Sequence, residues 1–141
     1  MNITNKKVLM GLTGIITGSL LLTSGAFATE LPSHITFSNF TPLALNSSLA
    51  GLPGQGIAPN VTRPVFYSLV HYICSFTSNL NNCPIEFTNR ENGEKVATVY
   101  LNAETATLTQ APIFHGNYGD EYEVVGWNAS PLCEITITKK A

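Results

Sequence analysis

Apolar and β-branched residues recur at every second position along most of this chain, a period that argues for strands over helices. Ile35, Phe37 and Asn39 alternate with Thr36 and Ser38 and mark a first strand. Ile85 to Thr88 reads as a short, half-buried strand. In the stretch from Lys95 to Leu101, Ala97, Val99 and Leu101 alternate with Val96, Thr98 and Tyr100. Thr105, Thr107 and Thr109 line one face of a further strand, with Ala106 and Leu108 on the other. Tyr122–Trp127 and Leu132–Thr138 complete the set. Between the second and third of these, Asn92-Gly93 is a strong hairpin signal, because both residues tolerate the positive φ of a type I′ turn.

Two stretches depart from this rhythm. Val65 to Cys74 is apolar on both faces of a strand, which predicts a central strand covered on both sides. Phe40 to Pro64 collects Pro42, Pro53, Pro59 and Pro64 with Gly51, Gly54 and Gly56. It reads either as a long functional loop or as an irregular edge strand over Leu43–Leu49 returning through a Pro53-Gly54 turn. No stretch longer than about eight residues shows helical spacing. About seven short strands separated by turn signals predict an all-β fold, a small antiparallel two-sheet sandwich. An immunoglobulin-like topology or a small open barrel is the alternative.

The first 28 residues stand apart from this pattern. Lys6 and Lys7 precede an uncharged apolar run from Val8 to Leu22, and Ala26-Phe27-Ala28 supplies small residues for a signal peptidase. The run falls short of the roughly 20 residues a membrane span needs. Residues 1–28 are therefore expected to be a cleaved signal peptide, and 29–141 a single β-sandwich domain starting at Thr29. A protein so processed is periplasmic or extracellular and not an integral membrane protein. Cleavage would leave Arg63, Arg90, Lys95, Lys139 and Lys140 against 9 acidic residues. A net-acidic, charge-poor chain lacks the basic footprint that drives nucleic-acid binding.

The chain holds 3 cysteines. Cys74 and Cys83 bracket the polar stretch Ser75–Asn82, and a bridge closing that loop would add roughly 2.7 kcal/mol by the chain-entropy model. Cys133 alternates with Ile135 and Ile137 and is expected to be a free, inaccessible core thiol. A Cys74–Cys133 bridge between sheets is the competing arrangement.

No motif in residues 29–141 names an activity. His34, His71 and His115 lack metal-ligand spacing, and no nucleophile elbow or phosphate-binding glycine run occurs. Phe114 to Glu121 is a Gly-rich loop carrying His115, Tyr118 and Asp120, without the ligand order of a calcium loop. Neither metal nor cofactor is expected. The reading is a non-enzymatic exported module binding a protein or glycan through loops at one end of the sandwich. His115, Tyr118, Asp120 and Trp127 are the candidate contact residues. The rival readings are a small secreted hydrolase using His115 with Asp120 or Glu121, and a structural envelope component.

Overall fold

A computed structural model describes residues 30–77 and 79–141. The expected signal peptide, 1–28, lies outside the described residues. In chain order the elements are β1 (His34–Phe40), β2 (Leu45–Leu49), β3 (Leu52–Ile57), β4 (Val61–Phe66), α1 (Tyr67–Thr77) and β5 (Cys83–Asn89). These are followed by β6 (Lys95–Asn102), β7 (Thr107–Leu108), β8 (Ile113–Phe114), α2 (Tyr118–Glu121), β9 (Tyr122–Val125) and β10 (Glu134–Lys139). One sheet has the order β4-β1-β10-β9; the other runs β3-β2-β5-β6-β7, with β8 also paired to β6. The fold is an all-β sandwich of two sheets, richer in strands than the sequence suggests. One pairing departs from the antiparallel expectation, because β1 and β10 lie parallel.

Alternation works as the sequence implies where both neighbours of a strand are long. In β5, Cys83, Ile85, Phe87 and Asn89 are buried while Pro84, Glu86 and Thr88 are half-buried. Ile85 and Phe87 face Val99 and Ala97 of β6 across the pair, and Ile35, Phe37, Ile135 and Ile137 of the first sheet are buried in the same core. Phe37 and Phe87 meet edge to face, ring centroids 5.7 Å apart. Each such fully buried side chain contributes about 1.5–3 kcal/mol relative to exposure.

Among the buried polar residues Asn39 is fully buried. Its amide nitrogen donates to the carbonyls of Leu43 at 2.7 Å and Ile57 at 2.9 Å. Its oxygen accepts from the Thr41 backbone N–H at 3.0 Å and the Thr41 hydroxyl at 2.7 Å. One side chain thus ties the end of β1 to the crossover into β2 and to the end of β3, in a place where unmet backbone groups would be costly.

Three expectations are overturned. Of the two readings of Phe40–Pro64, the long loop and the Pro53-Gly54 turn fall, while the strand within Leu43–Leu49 stands as β2, and the stretch also supplies β3 and most of β4. The turn between β2 and β3 falls at Ala50-Gly51, whose φ values of 52° and 87° are both positive, as a two-residue hairpin turn requires. At the expected type I′ site only Gly93 has positive φ. That hairpin is closed instead by Asn89 N–H donating to the Glu94 carbonyl and Gly93 N–H to the Asn89 carbonyl. Pro53 and Pro64 sit in β3 and β4, both edge strands, where a missing N–H is tolerated.

The second correction is α1. The run expected to be a central strand ends as one at Phe66 and continues as an 11-residue helix. A segment apolar on both faces of a strand also fits a helix, and periodicity cannot separate the two. Tyr67, Val70 and Cys74, spaced i, i+3, i+7, face the core. Cys74 is bridged to Cys83, Cα atoms 5.6 Å apart, as the loop-closing reading expects. The bridge joins a helix to a strand rather than closing a two-stranded hairpin.

The third is Cys133, which is exposed and free. Leu132 is fully buried, and so are Ile135 and Ile137. The inward positions therefore step by three at the entry to β10, turning Cys133 and Glu134 outward.

Candidate functional site

The short strand β8 pairs with β6 through Ala97 and Phe114, and this sets the Gly-rich loop beside β6. The His115 backbone N–H donates to the Val96 carbonyl at 3.0 Å. Its Nε2 lies 2.9 Å from the Thr98 hydroxyl. Gly116, at φ 57°, then turns the chain into α2. The loop and the β5–β6 hairpin enclose a cleft of about 630 Å³ lined by His115, Gly116, Asn117, Tyr118, Glu121 and Tyr122 on one side and Asn89, Glu94 and Lys95 on the other.

Tyr118 organises the cleft. Its hydroxyl donates to Glu94 Oε1 at 2.7 Å and accepts from Asn89 Nδ2 at 3.2 Å. Its ring stacks on Tyr122, centroids 6.5 Å apart. Tyr122 is buried, and burial, followed by the neighbouring Glu121 charge, pushes its hydroxyl pKa above the ordinary tyrosine value. Lys95 is drawn away from the cleft carboxylates into an ion pair with Glu86 at 3.2 Å. The cleft thus presents carboxylates, amides and an aromatic face, a surface suited to hydrogen-bonding a polyhydroxylated or peptidic ligand.

Of the residues picked from the sequence, His115 and Tyr118 line this cleft together. Asp120 stands exposed on α2 and does not line it. Trp127 is half-buried against the core, also outside the cleft. Asn89, Glu94 and Lys95 carry no functional motif in the sequence; the Asn92-Gly93 turn signal is the one clue that they share a hairpin end. The His115 Nε2 partner is Thr98, not Asp120 or Glu121, the pair the hydrolase reading would use. Among the described residues, no group of three or more His, Cys, Asp and Glu is placed to hold a metal ion.

On the opposite side, α1 shows an apolar face to solvent. Phe66, Tyr72 and Phe76 are 64%, 63% and 76% exposed, and the rings of Tyr72 and Phe76 stack in parallel at 6.0 Å. Leu69 and, from β3, Leu52 extend the patch. Among the described residues, no helix is long and apolar enough to cross a membrane.

A two-sheet sandwich with one helix pinned by a disulfide belongs to the class of small all-β modules. The model for the family of the type II secretion system substrate NttC matches residues 6–140, and the chain belongs to that family. The crystal structure of the Legionella pneumophila type II secretion system substrate NttC matches over 77% of this chain and 99% of that one, with a TM-score of 0.58 and 24% sequence identity. That likeness establishes the shared fold. No curated protein matches the chain. Membership in a family of type II secretion substrates makes this an exported protein.

Proposed function

We propose that this exported protein is a non-enzymatic binding module that recognises a glycan through the cleft between the Gly-rich loop and the β5–β6 hairpin. The observation that carries the reading is Tyr118, whose phenol is fixed by Glu94 and Asn89 at the wall of an open cleft. Aromatic faces backed by carboxylate and amide groups stack on sugar rings and pair with their hydroxyls. A protein ligand is the second reading, supported by the same charge-poor, aromatic surface.

The test is a glycan array followed by titration calorimetry on the best hit. Tyr118→Ala should weaken binding by about tenfold or more while the melting temperature stays within a few degrees. Absence of any glycan hit, with a protein ligand captured through the same residues, would favour the second reading. His115→Ala separates binder from hydrolase: a hydrolase would lose turnover on chromogenic substrates, whereas the wild-type binder shows none to lose. Export in this reading starts with cleavage after Ala28, so the intact mass of the secreted protein should correspond to a chain beginning at Thr29.

A further inference from the structure

The two sheets do not close on the side where β3 and β4, their edge strands, run beside each other. Between them a slot of about 360 Å³ opens toward the core. Its floor is formed by Phe37, Ile57 and Val70, all members of the buried core. Leu52 of β3 and Leu69 and Ile73 of α1 form the walls. Size and apolar lining are those of a small-molecule site, which typically measures roughly 300–1,000 Å³.

One residue in this slot contradicts its surroundings. In β4 the positions opposite Asn39, Phe37 and Ile35 are Val61, Arg63 and Val65. Phe37 and Ile35 face the core, so Arg63 takes a register position that alternation assigns to an apolar residue, and on this edge strand it stays exposed at the mouth of the slot. The side chain lines the slot, and its Nε contacts only the Gly56 carbonyl, at 3.4 Å. On the outer face of Gly56 lies a second arginine, Arg90, so close that a Cβ at this position would overlap its guanidinium. Among the described residues neither arginine has a carboxylate partner; the ion pair found there joins Lys95 to Glu86. In an acidic chain, the Arg63 guanidinium stands without a carboxylate partner at the rim of an apolar slot, while Arg90, on the outer face, donates to Asn46 Oδ1 at 3.2 Å.

We propose that this slot binds a single-chain amphiphile with an anionic head, a medium- or long-chain fatty acid, with the tail between α1 and β3 and the carboxylate on Arg63. Charge complementarity selects the head group: a guanidinium at the slot's rim, with no carboxylate of the chain paired to it, favours a carboxylate through charge-assisted hydrogen bonds. Area burial selects the tail. The site is separate from the glycan cleft and stands whether or not that reading does.

The experiment titrates the secreted protein with fatty acids below their micellar concentration. Dodecanoate should bind saturably at one site, and affinity should rise about fourfold per methylene from octanoate upward. Arg63→Gln should weaken dodecanoate by about tenfold or more and leave dodecanol unchanged, while Tyr118→Ala changes neither. Val65→Trp, which fills the slot from β4, should abolish both; circular dichroism checks its fold. An edge-protecting arginine without a ligand would show no such split between acid and alcohol. Lack of saturable dodecanoate binding overturns the proposal. So does equal weakening of acid and alcohol by Arg63→Gln. Binding to phosphatidylglycerol vesicles without binding to monomeric dodecanoate overturns it in favour of a membrane surface.

Discussion

The α1 side and the α2 side of this sandwich are held by different means. α1 is fixed by a covalent bond from Cys74 to β5 and by the buried Tyr67 hydroxyl, which donates to the Ala103 carbonyl at 2.8 Å. Its outer face is nevertheless apolar. α2 has 4 residues, follows the two-residue strand β8, and owes its position to hydrogen bonds among Tyr118, Glu94 and Asn89. The contrast shows where strong anchoring is needed. An exposed aromatic face tends to collapse or repack, and a cross-link beneath it keeps that face on display. A polar cleft is satisfied by water whenever it opens, so weaker ties suffice.

The largest effect should come from removing the bridge. Replacing Cys74 and Cys83 together by Ala should lower unfolding free energy by about 2–4 kcal/mol in urea titration. Hydrogen exchange should then report loss of protection in α1 with α2 unchanged. Equal loss on both sides would break the comparison. A smaller, pH-dependent effect tests the second anchor. Burial pushes the Tyr67 hydroxyl from 10.0 up to about 12. Because the folded value is raised, the stabilisation is complete below pH 10 and is lost as pH rises toward 12. A two-unit shift corresponds to roughly 2–3 kcal/mol. Tyr67→Phe should flatten that alkaline limb, leaving the smaller slope due to Tyr122.

On the other side, Tyr118→Phe removes two half-exposed hydrogen bonds and should cost about 0.5–1.5 kcal/mol, with α1 protection unchanged. Smallest of all is Cys133→Ser, expected within about 0.5 kcal/mol of the parent, since it touches neither region. The native protein should react with one equivalent of a thiol reagent through this exposed residue. A native thiol titre of zero would restore the buried placement that alternation suggests.

These placements show what local pattern can carry. β5 and β6 were legible because each strand has long partners and a clear inward face, and the Cys74–Cys83 bridge because the two residues are close in sequence. α1 was not, because a short apolar run carries no period to tell strand from helix. The β2–β3 turn was hidden because Ala50 gives no sign of its positive φ. Cys133 was misplaced by one broken step of alternation after Leu132. Half of the cleft was legible in the His115–Tyr118 loop. The rest came from Asn89, Glu94 and Lys95, joined to that loop by β6–β8 pairing that no short window of sequence encodes. Arg63 shows only its charge in the sequence, since its place at the slot follows from pairing with β1.

The parallel pairing of β1 with β10 has a consequence in time. Thr36 and Cys133, bonded at the start of that ladder, stand 97 residues apart in sequence. Among the described strands, β1 must therefore wait for β10 before its sheet can close, and contacts this distant slow folding. Until β10 arrives, β1 has only β4 beside it, and β9 has no neighbour in the sheet. An incomplete chain thus cannot assemble the smaller sheet, which delays its closure in a protein destined to leave the cell.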